Sequence, residues 1–246
     1  MFGAGTTAVV TGGSSGIGAA TAERLAGRGC DVLAVGRDTD ALADIARRTG
    51  ARCCAADLTS PGAADRVLAE AGEVDLLVCN AGVGWSGPLE VMPEERVGDL
   101  VRVNLLAPML LVRAALPGML ARGRGQIVLV SSIAGSMSVA GEAVYSATKA
   151  GLDALGASVR GEVAGRGVGV TIVVPGVVDT PFFARRGSPY ARRVPRPVPP
   201  ERVAAALVAA AERNRSQVFV PRWLRLPARL RGVAPTVTDA LQRRTT

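Results

Sequence analysis

The 246-residue chain contains no histidine. That absence excludes a Ser-His-Asp or Cys-His hydrolase and argues against a zinc enzyme, leaving Asp, Glu, Tyr, Lys or Cys to carry acid–base chemistry. Lysine is almost as scarce. Lys149 is the sole lysine among 29 basic residues, the others being arginine. A guanidinium is forked and essentially always charged, whereas an ammonium is a compact point charge, so a lone lysine points to a place where only the smaller group serves. Aromatic residues make up 3% of the chain, so the core must come from Ala, Val, Leu and Ile. Cys30, Cys53, Cys54 and Cys79 show no C-x-x-C spacing and lie in apolar stretches, as expected of buried thiols in a reducing compartment. The most apolar stretch, NLLAPMLLVRAALPGML, is cut by Arg113 and two prolines, so no membrane span is expected. The N-terminus lacks the basic, apolar and cleavage regions of a secretory signal. A cytoplasmic location is expected, with peripheral membrane contact the alternative.

What is present alternates. TTAVVT, DVLAVG, ARCCAAD, VDLLVCNAG, GQIVLVSS, GVTIVVPG and SQVFVP read as strands. Helical spacing fills the segments between them, with long helices over about 94–120 and 144–165. Strands alternating with helices predict right-handed crossovers and a single-domain, doubly wound parallel sheet of the Rossmann type, helices on both faces, spanning residues 1–246. Ser188 to Pro200, rich in proline and arginine, is the one composition break and reads as a lid-like loop.

TGGSSGIG joins the first strand to the first helix. Gly12, Gly16 and Gly18 permit a tight turn and close approach of backbone to a phosphate, which the helix N-terminus attracts. An acidic residue ending the second strand would bind the ribose hydroxyls of NAD; that place holds Gly36 and then Arg37. An uncharged position beside a guanidinium suits a 2′-phosphate, so NADP(H) is expected over NAD. Asp38 qualifies this, since it is placed to pair with Arg37 or turn toward the ribose.

Tyr145 and Lys149 are one helical turn apart, and Ser132 ends a strand at the sheet edge where ligands bind in such folds. A neighbouring ammonium favours the phenolate and brings a tyrosine toward neutral pH. The serine hydroxyl is suited to a substrate carbonyl and its developing oxyanion.

With these motifs together, the chain resembles the short-chain dehydrogenase/reductase family over residues 6 to about 182. TGGSSGIG, the NAG of Asn80, Ala81 and Gly82, Asp57 after the third strand, Asn104 in VNLLAP, Ser132 with YSATK, and PGVVDT each match a family motif. The resemblance implies that Tyr145 is the proton donor and acceptor, Ser132 orients substrate, Lys149 binds the nicotinamide ribose and lowers the tyrosine pKa, and Asn104 completes a proton relay. It implies cofactor contacts at Gly12, Ser14, Ser15, Gly16, Ile17, Gly18, Arg37, Asp57, Leu58, Asn80, Ala81, Gly82, Tyr145, Lys149, Pro175, Gly176, Val178 and Thr180. No metal is expected. The implied reaction is hydride transfer between NADP(H) and a carbonyl or secondary alcohol of a lipophilic small molecule. A dehydratase or epimerase, or a non-catalytic cofactor-binding protein, remains an alternative. Substrate choice falls to the segments 83–89, 136–142 and 182–200, where Trp85, Phe182 and Phe183 are candidates for an apolar lining.

The C-terminus departs from the family pattern. VFVPRWLRLPARLRGVAPTVTDALQRR replaces a glycine-rich last strand, which puts the usual tetramer in doubt and leaves a homodimer through the two long helices. The net charge of +8 comes with a basic tail over 222–246, in which Trp223, Leu224, Leu226 and Leu230 interleave with arginines. Such a pattern suits either a flap over the pocket or an interfacial segment. Nucleic acid is not the expected partner, because no aromatic-interleaved basic surface is visible.

Overall fold

A computed structural model describes residues 1–188, 190 and 195–233. Seven parallel strands form one sheet in the order β3-β2-β1-β4-β5-β6-β7. They are β1 (Thr7–Thr11), β2 (Asp31–Gly36), β3 (Arg52–Ala55), β4 (Leu76–Cys79), β5 (Gly125–Val130), β6 (Val168–Pro175) and β7 (Gln217–Val220). The helices are α1 (Gly16–Ala26), α2 (Thr39–Thr49), α3 (Ala63–Ala71), α4 (Glu94–Val101), α5 (Ala107–Ala121), α6 (Ile133–Met137), α7 (Ala143–Glu162), α8 (Phe182–Arg185), α9 (Pro200–Glu212) and α10 (Arg225–Val233).

The strands are continuous apolar runs because both faces are covered. Side chains alternate across the sheet, so Ala8 and Val10 join one core with Leu25, Ile45 and Leu207. Val9, Leu77 and Ile127 enter the other, with Val67, Leu111 and Met119. Helices α1, α2 and α9 thus close one face, and α3, α5 and α7 the other. The chain runs outward from β1 to β3, then returns to place β4 on the other side of β1. That reversal opens a crevice at the C-terminal ends of β1 and β4, where ligands bind in open α/β sheets.

Local chemistry sets the helix ends. Asp38 accepts from the Ala41 amide at 3.0 Å and caps α2, while Gly50 ends that helix at φ 72°. Asp38 therefore serves the helix terminus through one carboxylate oxygen. The first long helix is not uniform: residues 102–106 form a π turn between α4 and α5. The helical run Glu94–Ala121 is long and apolar enough to cross a membrane by length and composition. Its Leu111, Val112, Ala115 and Met119 are instead buried in the core. Helices α6 and α8, at five and four residues, are too short for periodicity to reveal.

Candidate active site

The glycine loop leaves β1 and enters α1 at the crevice. Ser15 precedes α1 without a side-chain cap bond, and the helix has no acidic residue in its first turn. The N-terminal amides are thus open to an anion, with the helix dipole favouring negative charge. Gly16 adopts φ 55°, and a Cβ there would lie 2.8 Å from Thr180 Cγ2. A Cβ on Gly18 would lie 2.1 Å from the Gly12 carbonyl oxygen. The sequence therefore has glycine where backbone passes over backbone, and the segment Pro175–Thr180 lies across the loop. Ile17 is partly buried and packs against the core.

Asn80 holds the loop to β4: its Nδ2 donates to Thr11 O at 2.9 Å. Thr11 Oγ1 in turn accepts from the Asn80 and Ala81 amides at 2.9 and 3.1 Å. Thr11 is a buried positioning group that its place inside a strand concealed. Toward the other end of the crevice, Arg37 is exposed just beyond β2. Asp57 lies nearby after β3, its carboxyl held below the usual range by the Thr59 amide and hydroxyl, and by the Arg37 charge. Gly36 is tight against Ser14, whose Oγ would sit 3.2 Å from an added Cβ. Leu58 is partly buried and packs against the core beneath α3 and α5.

Across the crevice stand Ser132, Tyr145, Lys149 and Asn104, all buried. Ser132 caps α6, its Oγ accepting from the Ala134 amide at 3.1 Å. Lys149 Nζ donates to Val130 O at 2.9 Å and lies 5.8 Å from the Tyr145 ring centroid. Burial lowers the Lys149 pKa to about 8, opposed by the charges of Asp153 and Cys79. Burial raises the Tyr145 phenol above its ordinary value; the Ser132 hydroxyl opposes this, Glu142 adds to it and Arg186 offsets it. The expectation that Lys149 lowers the phenol thus meets a larger opposing effect, desolvation.

Asn104 sits in the π turn, a helical irregularity frequent at functional sites. Its Oδ1 accepts from the Val83 amide and its Nδ2 donates to Val83 O, both at 2.9 Å, with Thr148 Oγ1 at 3.3 Å. The side chain thus anchors the irregular segment after β4 that carries Gly82. A Cβ on Gly82 would lie 3.3 Å from Asn104 Oδ1 and 3.6 Å from Lys149 Nζ. The π turn, the NAG segment and the lysine meet at one point.

Apolar side chains surround the phenol. Trp85, Met92, Val139, Val144 and Phe182 pack around Tyr145, Leu100 and Ala134. The Phe182 ring is 5.5 Å from that of Tyr145, and Phe183 follows at 5.6 Å from Phe182. Two arginines that no motif singled out close over this region. Arg186 forms a mostly buried ion pair with Glu142, joining the segment after α8 to the start of α7. Arg185 Nη1 donates to Ser15 Oγ at 3.2 Å, directly over the glycine loop. Only the fold brings them there. Of the expected substrate segment 183–200, residues 189 and 191–194 lie outside the described residues, as do 234–246 of the tail.

A doubly wound sheet with a glycine-lined anion cradle and a buried Ser, Tyr and Lys opposite defines the class of nucleotide-dependent oxidoreductases. The sequence profile of the short chain dehydrogenases matches residues 6–191. The chain belongs to that family. It is 37% identical over 248 residues to an uncharacterized oxidoreductase of Myxococcus xanthus, covering 97% of this chain and 96% of that protein. It is also 37% identical over 182 residues to the 3-oxoacyl-(acyl-carrier-protein) reductase of Escherichia coli, covering 72% and 75% of the two chains. The solved structure of a short-chain dehydrogenase from Sphingobium yanoikuyae in complex with NADPH superposes with TM-score 0.81 at 29% identity, covering 94% and 95%.

Proposed function

We propose that the protein is an NADP(H)-dependent reductase/dehydrogenase acting on a carbonyl or secondary alcohol of a lipophilic small molecule. The observation that carries the reading is the meeting of Tyr145, Lys149, Ser132 and Gly82 at the mouth of the crevice that the uncapped α1 terminus faces. Arg37 beside an uncharged Gly36 favours the 2′-phosphorylated dinucleotide, as does the NADPH bound by the Sphingobium relative. The cradle suits such a group, because Gly12, Gly16 and Gly18 let the loop pack against Asn80, Ala81, Thr180 and itself, where a Cβ would collide and push the backbone out of the turn. NADPH supplies the hydride when bound. Gly12, Ser14, Ser15 and Gly18 would hold its phosphates, with Arg185 closing on them. Asn80, Ala81 and Gly82, and the segment Pro175, Gly176, Val178 and Thr180, would hold the nicotinamide half.

The chain's own residues then manage the proton. Tyr145, kept protonated by burial, donates to the carbonyl oxygen in reduction and accepts in oxidation. Ser132 hydrogen-bonds the same oxygen as charge develops on it. Lys149 supplies positive charge beside the phenol, and its anchoring to Val130 O fixes where that charge sits. Asn104 positions Val83 and hence the NAG segment. The apolar shell from Trp85 to Phe183 excludes water and favours a substrate with hydrocarbon flanking its carbonyl. Residues 183–200 act as the substrate loop. A second copy of the chain is the proposed partner along the two long helical runs, α4–α5 and α7, the first of which exposes Val101, Leu106, Met109 and Leu110.

NADPH oxidation with a panel of ketones, aldehydes and 3-oxoacyl thioesters tests the reading. Turnover with NADPH preferred over NADH, rising with the length of the apolar flank, is expected. Cofactor binding without turnover of any carbonyl would overturn it.

A further inference from the structure

A 3₁₀ turn over Arg222–Leu224 runs into α10, and together they present three faces. Leu224 is buried, and Ala228 packs beside it on Ile172, Val174 and Phe219. Trp223, Leu226 and Leu230, spaced i, i+3 and i+7, point outward at 52%, 73% and 47% exposure. Arg222, Arg225 and Arg229 share the flank next to that stripe, all exposed. Arg225 and Arg229 also line a recess of about 500 Å³ with Arg215, Ser136, Gln217 and Phe219. No acidic side chain lines it, and these three arginines form no ion pair among the described residues. Arg215 is held in place by its turn, where its carbonyl oxygen accepts from Thr171 and Arg160 clasps the preceding Asn214.

Unneutralised guanidiniums around a recess call for an anion, and an exposed aliphatic and indole stripe beside them calls for hydrocarbon. A bilayer of anionic lipid offers both at the spacing of headgroup and acyl boundary. A second copy does not, because a two-fold contact would set arginine row against arginine row. Nucleic acid would answer the arginines and leave Leu226 and Leu230 in water. We propose that α10 and its arginine-lined recess form a docking surface for an anionic membrane, with Trp223, Leu226 and Leu230 entering the interface and Arg215, Arg225 and Arg229 holding lipid phosphates. The surface adjoins α6, the helix that Ser132 caps, so docking sets the active-site mouth beside the bilayer. Docking stands independently of turnover.

The full-length protein would be sedimented with vesicles of phosphatidylcholine alone and with about a third phosphatidylglycerol, at low and high salt. Binding to the anionic vesicles, lost at high salt, is expected. Neutralising Arg215, Arg225 and Arg229 together to Gln is expected to weaken it by on the order of a hundredfold. Leu226→Ser with Leu230→Ser provides a second, charge-neutral variant and should also weaken it. In a Trp85→Phe background, Trp223 emission should shift to the blue on vesicle addition. Equal binding to both vesicle types, no binding at low salt, or binding indifferent to both variant sets would overturn the proposal. So would thermal stabilisation by inorganic phosphate without vesicle binding, or concentration-dependent dimerisation abolished by the leucine variants.

Discussion

The crevice between β1 and β4 and the surface built by α10 and its neighbouring recess use opposite chemistries. The crevice is made of glycines, short polar side chains and backbone amides, with one buried ammonium. The C-terminal surface is made of arginines and exposed aliphatic groups. In the crevice a methyl group too many is excluded by hard contacts, as at Gly18 with 2.1 Å to a carbonyl oxygen. On the surface, Leu226 at 73% exposure has no comparable constraint. One region is fixed by what must not be there, while the other carries no such internal constraint.

If that contrast holds, substitutions in the crevice should cost far more than their size suggests. Lys149→Arg is the largest expected effect. A guanidinium will not fit against Val130 O beside the phenol, so turnover should fall by about a hundredfold or more while the circular dichroism spectrum is unchanged. Lys149→Met should lose as much activity without lowering the melting temperature at pH 7, because it removes a charge that burial disfavours. Gly18→Ala comes next. Overpacking against Gly12 should weaken NADPH binding by roughly ten- to a hundredfold, measured by fluorescence titration. Arg37→Asp should move the NADPH-to-NADH preference by about tenfold or more toward NADH, read as the ratio of kcat/KM values.

The smallest expected effect is a pH dependence. The folded Lys149 pKa is depressed to about 8 from 10.5, so the ammonium is present below that value and lost above it. The kcat/KM of the free enzyme should therefore fall as pH rises through about 8. Stability has the opposite sign. Between the folded and unfolded values the unfolded chain binds more protons, so this group's unfavourable contribution diminishes as pH rises. Parallel activity and thermal-melt profiles check both signs.

The difference between the two regions also explains what could be read in the sequence. Strand alternation and helical spacing gave the sheet because burial on both faces imposes a pattern residue by residue. TGGSSGIG and YSATK were legible for the same reason: a tight turn demands glycine, and one helical turn places Tyr145 beside Lys149. Asn104 was found through a family motif, but its π turn was not, since nothing in RVNLL distinguishes i→i+5 from i→i+4 bonding. Thr11 was invisible as an ordinary strand residue. Arg185 over Ser15 and Arg186 against Glu142 were hidden because their partners lie 170 and 44 residues away. Arginines in a basic segment read as solvated charge until the fold supplies the other half of the pair.

Tyr145 is the proposed proton-moving group, and Tyr145→Phe removes one hydroxyl from a buried ring. Turnover and NADPH affinity would be measured on the same preparation with any carbonyl the wild type reduces. Turnover should be lower by about 10²- to 10⁴-fold, with NADPH affinity changed by no more than about twofold. Turnover equal to wild type, with the cofactor still bound, would contradict it.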